Sequence, residues 1–179
     1  MKQFILKKIF NYNAIKPSIE EGIQAAVQGD LKKLEELRCV HDSLFSFLKK
    51  DGYYLCKQDS SGKTPLMAAA ENGHTEIMKW LISRYEVLTI DKQDNHGKTA
   101  LITAIEHGWT QAVKLLLDKG ARTDLADKTN KTAMMHAEET SPRYIAPIIA
   151  AAEKSREETK KVIKQMSDAA DTMGSHGWD

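Results

Sequence analysis

Two tripeptides in this 179-residue chain, Gly62-Lys63-Thr64 and Gly97-Lys98-Thr99, have the composition of the end of a phosphate-binding loop. Such a loop wraps phosphate oxygens in backbone amides and needs a further glycine five residues before the Gly-Lys pair. Those positions hold Lys57 and Lys92, so neither tripeptide can close the cradle. His136-Ala-Glu-Glu139 offers an imidazole and carboxylates, but no second histidine follows at metalloprotease spacing. Cys39, His41 and Cys56 are too few and too unevenly spaced for a zinc site. Without a secretion signal, both cysteines read as reduced thiols. Asn130-Lys131-Thr132 has the form of a glycosylation acceptor, but with no secretion route it reads as a turn. There is no nucleophile–base pair and no glycine-rich cofactor motif. The sequence therefore points away from an enzyme, and no cofactor or metal is expected.

The Gly-Lys-Thr tripeptides belong instead to a larger recurring segment. Asp59-Ser60-Ser61-Gly62-Lys63-Thr64-Pro65-Leu66 returns as Asp94-Asn95-His96-Gly97-Lys98-Thr99-Ala100-Leu101, and more loosely as Asp127-Lys128-Thr129-Asn130-Lys131-Thr132-Ala133-Met134. The threonines at 64, 99 and 132 lie 35 and then 33 residues apart. A period near 33 marks small helical units that bury their core only against neighbours. Local physics explains each unit. The aspartate and glycine suit a tight turn, with glycine supplying positive φ. Thr64 and Thr99 stand at helix N-caps, and Pro65 at the first helical position, where its missing N–H is not needed. Leu66, Ala69 and Ala70, matched by Leu101, Ala104 and Ile105, form a short helix that Gly73 and Gly108 end. A second helix follows, with Ile77, Met78, Trp80, Leu81 and Ile82 as its apolar set. Ala112, Val113, Leu115, Leu116 and Leu117 are the counterpart in the next unit.

Residues 59–124 resemble two consecutive ankyrin repeats. Thr64-Pro65-Leu66, Ala69-Ala70 and Gly73-His74 carry the resemblance in the first, and Leu115-Leu116-Leu117 with Gly120-Ala121 in the second. The resemblance implies an all-α solenoid of about four helix–turn–helix units with short β-hairpin-like loops, followed by a C-terminal helix. The expected divisions are a basic segment (1–18), a degenerate capping repeat with an insertion (19–58), repeats at 59–93 and 94–126, a degenerate repeat (127–152), and a charged helix with a disordered end (153–179). Within the first unit, Gly22 to Leu37 matches the helical core but lacks the Thr-Pro-Leu start. Its excess length falls in 38–58, where an extra helical turn around Leu44, Phe45, Phe47 and Leu48 and an aromatic pair, Tyr53-Tyr54, are expected in a surface insertion. In the last unit Asn130 replaces the turn glycine, which asparagine tolerates. Ser141-Pro142 and Pro147 place the start of its second helix near Arg143, since proline fits only the first turn.

A formal net charge of +1 gives no global reason to expect a nucleic-acid partner. No apolar run approaches the roughly 20 residues that span a bilayer, and no signal peptide is recognisable, so a cytoplasmic location is expected, or a host cytoplasm for a delivered effector. Lys2, Lys7, Lys8 and Lys16 make the N-terminus basic. Phe4, Ile5, Leu6 and Ile9 there are expected to pack on the first repeat, with a membrane-surface helix as the competing reading. In the tail, Val162, Ile163, Met166, Ala169, Ala170 and Met173 form an apolar stripe. A stripe of this kind can cap the stack, pair with another copy through 150–173, or bind a separate partner.

The resemblance implies a binding surface built from hairpin tips and the outer faces of the first helices. The tips contribute Ser60, Ser61 and Lys63, then Asn95, His96 and Lys98, then Lys128, Thr129 and Lys131. The helices contribute Glu71, Asn72, Glu106, His107, Glu139 and Thr140. Trp109 stands where the pattern has histidine and is the candidate aromatic anchor, with packing on the preceding unit as the alternative. Tyr53 and Tyr54 form a second candidate patch. Lysine precedes the threonine in all three units, and glutamate recurs at 71, 106 and 139. Stacking should line these up either as a charged groove or as mutually satisfied pairs. The expected function is binding of another protein, as a regulator, an inhibitor or a microbial effector. The alternative is a self-assembling scaffold protein that uses the C-terminal helix.

Overall fold

The computed structural model describes residues 19–45, 54–140 and 143–174. The expectations for 1–18, Phe47, Leu48, Tyr53, Ser141-Pro142 and 175–179 lie outside these residues, as does the side chain of Tyr54. The described residues contain eight α-helices, one 3₁₀ turn and no strand. The helices are α1 (Ile19–Gln28), α2 (Leu31–Phe45), α3 (Pro65–Glu71), α4 (Thr75–Thr89), α5 (Ala100–Glu106), α6 (Thr110–Asp118), α7 (Ala133–Thr140) and α8 (Ala146–Gly174). None of them is long and apolar enough to cross a membrane.

The caps form where the residue types place them. Thr64 Oγ1 accepts from the Met67 amide and Thr99 Oγ1 from the Ile102 amide, both at 3.2 Å. Each threonine is buried, so this bond satisfies an amide that water cannot reach. At the other end, the His74 and Trp109 amides reach back to the Ala69 and Ala104 carbonyls at 2.9 and 3.0 Å. That is the bond pattern of a glycine-terminated helix.

The first helices of the units, α1, α3, α5 and α7, pack side by side as one layer, and α4, α6 and α8 pack as a second. The core runs between the layers. Ala68, Ala69, Ala70, Leu101, Ala104 and Ile105 face Ile77, Met78, Leu81, Ala112, Val113 and Leu116, all buried. Alanines in the first layer let neighbouring helices approach closely, while large side chains come from both layers, Leu66, Met67, Leu101, Ile102 and Ile105 from the first and Ile77, Met78, Leu81 and Leu116 from the second.

Two expectations change. The last helix begins at Ala146, not near Arg143, with residues 143–145 forming a turn. Pro147 is then its second residue and still lies in the first turn, where its missing N–H goes unused. The 38–58 insertion is not wholly a surface feature. Helix α2 runs on to Phe45, and the 3₁₀ turn Tyr54–Cys56 packs on α1 and α4, burying Leu55 and Cys56 in the core. Burial pushes the Cys56 thiol up to about 11, against the opposing pull of nearby Lys92, so it is a packing group and not a nucleophile.

The turns between units are built on aspartate. Asp59 Oδ1 accepts from the Ser61 and Lys63 amides at 2.9 and 2.8 Å. Asp94 does the same with His96 and Lys98, and Asp127 with Thr129 and Lys131. Gly62 and Gly97 complete the first two turns at φ 78° and 79°. Adjacent turns are then bonded directly, from the Asn95 amide to the Ser61 carbonyl and from the Lys128 amide to the His96 carbonyl, both at 2.9 Å. A Cβ on Gly62 would lie 2.7 Å from the Asn95 amide nitrogen, and one on Gly97 2.8 Å from that of Lys128. Glycine is therefore required twice over, for its backbone angle and for the approach of the next turn. Gly97→Ala is expected to cost roughly 2–4 kcal/mol, from left-handed strain plus displacement of a neighbouring backbone. Gly120→Ala, at φ 85° with open space around it, should cost only about 1 kcal/mol of strain. Urea unfolding of the two variants measures the difference.

Candidate functional site

The tips of the three turns stand in one row. Ser60, Ser61, Asn95, His96, Lys128 and Thr129 are all exposed. Two glutamines fix the row from beneath. Gln58 Nε2 donates to the Gly62 carbonyl of its own turn (2.6 Å) and to the Gln93 carbonyl of the next (2.8 Å). Gln93 Nε2 repeats this with Gly97 (2.7 Å) and Ala126 (2.8 Å). Asn95 Nδ2 adds a bond to the Ser60 carbonyl at 2.9 Å. The tips therefore present a fixed arrangement of side chains, not a set of independent loops.

Behind the tips lie the lysines and glutamates. Lys63 pairs with Glu71, Lys98 with both oxygens of Glu106 (2.7 Å), and Lys131 with both of Glu139 (2.6 and 2.7 Å). Each pair closes within one unit, from the end of the turn to the last turn of the following helix. The result is a row of half-exposed, internally neutralised pairs, and not a basic row beside an acidic one. At this exposure each contributes roughly 0–1 kcal/mol.

Trp109 packs on the preceding unit and keeps an exposed face. Its Nε1 donates to the Glu71 carbonyl at 2.8 Å, and its ring lies so close over Gly73 that a Cβ there would come within 2.6 Å. The ring remains 44% exposed. His74 makes the equivalent contact one unit earlier, with Nε2 donating to the Val27 carbonyl at 2.8 Å and the ring over Gly29. Trp109 thus does the structural work of the histidine and adds apolar surface. Asn72 and His107 beside it are tied back to their own helices, to the Ala68 and Thr103 carbonyls, both at 2.9 Å.

The sequence reading missed a buried polar cluster at the last turn. His136 Nε2 donates to Asp127 Oδ2 at 3.0 Å, and its Nδ1 lies 3.5 Å from Glu106 of the preceding unit. The signal was present, since His136 occupies the place of Ala68 and Thr103 in the other units. Gln58 and Gln93 were also legible as a repeated Gln-Asp step.

Among known proteins, a family model described as ankyrin repeats (three copies) matches residues 23–91 and 85–157. The crystal structure of an ankyrin repeat domain from Acinetobacter baumannii is similar at 32% identity and a TM-score of 0.62, over 77% of this chain and 67% of that one. No curated protein matches this chain.

Burial works to raise the Asp127 carboxyl, but hydrogen bonds from Thr129, the Lys131 amide and His136 outweigh it and hold the group well below the usual carboxylate range. A depressed folded value stabilises the protein above the unfolded value of about 3.9, and that stabilisation disappears as pH falls toward the folded value. Asp127→Asn is therefore expected to be less stable than the parent at pH 7, with a smaller further loss below pH 4. Urea midpoints measured across that range test this.

Proposed function

The chain belongs to the ankyrin repeat family, and from that premise we propose that it is a protein-binding module whose partner lies across the turn tips and the inner helices α3, α5 and α7. Ankyrin repeats are generally protein–protein interaction modules and typically carry no catalysis of their own. The observation that carries the reading is the tip row. Six exposed side chains in three turns are held in register by glutamine and backbone bonds that need no ligand to form. A surface ordered in advance loses little conformational freedom when a partner docks.

The chemistry narrows the partner. The row offers hydroxyls, an amide, an imidazole and one lysine at the tips, in front of ion pairs that are already satisfied. It suits a polar, hydrogen-bonding protein surface of low net charge over a strongly acidic or basic one. Trp109, fixed at one edge through Nε1 with its face open, is the apolar anchor of this surface. Occupying a partner's surface in this way is how a regulator, an inhibitor or a microbial effector without catalytic groups would act.

The cleanest test leaves the scaffold intact. Ser60→Glu, His96→Glu and Lys128→Glu together change three exposed side chains while retaining every backbone bond between turns. Reversing Lys63, Lys98 and Lys131 would instead put glutamate against glutamate within each unit. Against a partner identified by affinity capture and mass spectrometry, the tip variant should bind at least about tenfold more weakly, with an unchanged urea midpoint; loss of one well-placed contact is worth roughly that much. Equal affinity for variant and parent would remove the tip row from the interface. The parent's affinity should also change little with salt.

A further inference from the structure

Twice in the array, a ring from one unit closes the inner helix of the unit before it. The His74 ring lies over Gly29, where a Cβ would come within 3.1 Å of it, and its Nε2 donates to the Val27 carbonyl at 2.8 Å. The Trp109 ring lies over Gly73, within 2.6 Å of such a Cβ, and its Nε1 donates to the Glu71 carbonyl at 2.8 Å. Both places have the same construction. A positive-φ glycine ends the helix and offers a face with no side chain. The carbonyl two residues before it lies in the last turn, where no helical amide reaches it, and it accepts the ring N–H instead.

The third place in this row is at Gly108, whose φ is 72°. Among the described residues nothing lies within 4 Å of a Cβ built there, and no backbone amide donates to the Glu106 carbonyl. Thr140 reaches across from α7, but its hydroxyl goes to the His136 carbonyl at 2.7 Å and, more weakly, to that of Ile105 at 3.4 Å. By the period of the array the next ring would come from position 142, and the sequence has Pro142 there, a side chain with no N–H to give. His107, Gly108 and Trp109 are all exposed. The third place thus offers an uncovered glycine face and a carbonyl acceptor at the negative end of α5.

We propose that it takes a tryptophan side chain of the bound protein, with the indole flat on Gly108 and its N–H on the Glu106 carbonyl. This rests on the reading above, in which a protein docks across the inner helices, and it names one side chain of that protein. An indole suits the place better than a lysine or arginine, because the surface is flat backbone and the acceptor is a neutral carbonyl. The Glu106 carboxylate beside it is already bonded to Lys98 through both oxygens. It suits the place better than a phenylalanine, because a ring without an N–H would cover the carbonyl and leave it without a donor. Indole combines a large apolar face with one donor, and the chain uses that combination itself at Gly73.

Amide NMR of the full chain titrated with N-acetyl-tryptophanamide tests the proposal. Saturable shifts are expected at the His107 and Gly108 amides, with a dissociation constant on the order of 1 mM. The same probe methylated at the indole nitrogen keeps the ring and loses the bond, so it should bind at least about threefold more weakly. Gly108→Ala places a methyl group where the ring would lie and should abolish the shifts with an unchanged circular dichroism spectrum. Pro142→Trp covers the case in which that variant fails to fold. Supplying the ring from the chain itself should raise the urea midpoint and exclude the probe. The proposal is overturned by no saturable shift at Gly108, by shifts confined to the Trp109 side chain, by equal binding of the methylated probe, or by probe binding that survives Pro142→Trp. Ser60→Glu, His96→Glu and Lys128→Glu together should leave probe binding unchanged, which keeps the two surfaces distinguishable. Loss of the partner on changing the tips, with no probe at Gly108, removes only the third place; probe at Gly108 with the partner indifferent to the tips removes only the tip row.

Discussion

Everything in the array depends on how closely one turn can approach the next. At Gly62 and Gly97 the backbone of the following turn occupies the space where a Cβ would be. That contact allows the Asn95 and Lys128 amides to bond across units and sets Gln58 and Gln93 within reach of two turns at once. The helices behind follow from it, because the spacing of the turns sets the spacing of α3, α5 and α7, and the run Ala68-Ala69-Ala70 lets α3 lie close to its neighbours. A second line of contact, the ring of His74 or Trp109 over the glycine of the preceding unit, holds the opposite ends of the same helices. The units led by α3 and α5 are thus gripped at both ends of their first helices.

The same constraint shows why the stacking ends where it does. The last turn has Asn130, at φ 62°, where the others have glycine, so a Cβ fills the space a further turn would need. Ala126 stands where Gln58 and Gln93 stand and has no amide to reach outward. Glu138 takes the place of buried Ala70 and Ile105, and Met135, 49% exposed, takes that of buried Met67 and Ile102. Three of these four positions refuse another unit, and α8 leaves the array immediately afterwards. The His136–Asp127–Glu106 cluster lies at this last interface, where the regular apolar contacts give way to polar ones.

The parts of the fold that repeat were legible in the sequence. Thr64, Thr99, the turn aspartates and glycines, and the apolar positions of α3 to α6 could be read because a second copy tells structural residues from variable ones. The legible part of the candidate site was its membership, since tips and helix faces follow from the period. Its bonding was not legible. Lysine and glutamate recurring eight residues apart fit both a charged groove and closed pairs, and only side-chain reach decides for pairs. Where the repeat breaks down, at Leu55-Cys56 and at Pro147, no second copy was available for comparison, and tertiary packing decided. The point where α8 leaves the array was equally hidden, because it depends on Arg156 meeting carbonyls of Leu117 and Ala121 from another helix.

A rigid, pre-ordered row of turn tips is the central claim, because the binding surface depends on it. Its most direct test is hydrogen exchange at the Asn95 and Lys128 amides, which lie in exposed turns and are protected only if the turns are bonded to one another. The account predicts that both exchange as slowly as the buried Ile102 amide, through unfolding of the units together. Exchange at both sites at the rate of a free loop, with Ile102 still protected, would contradict it.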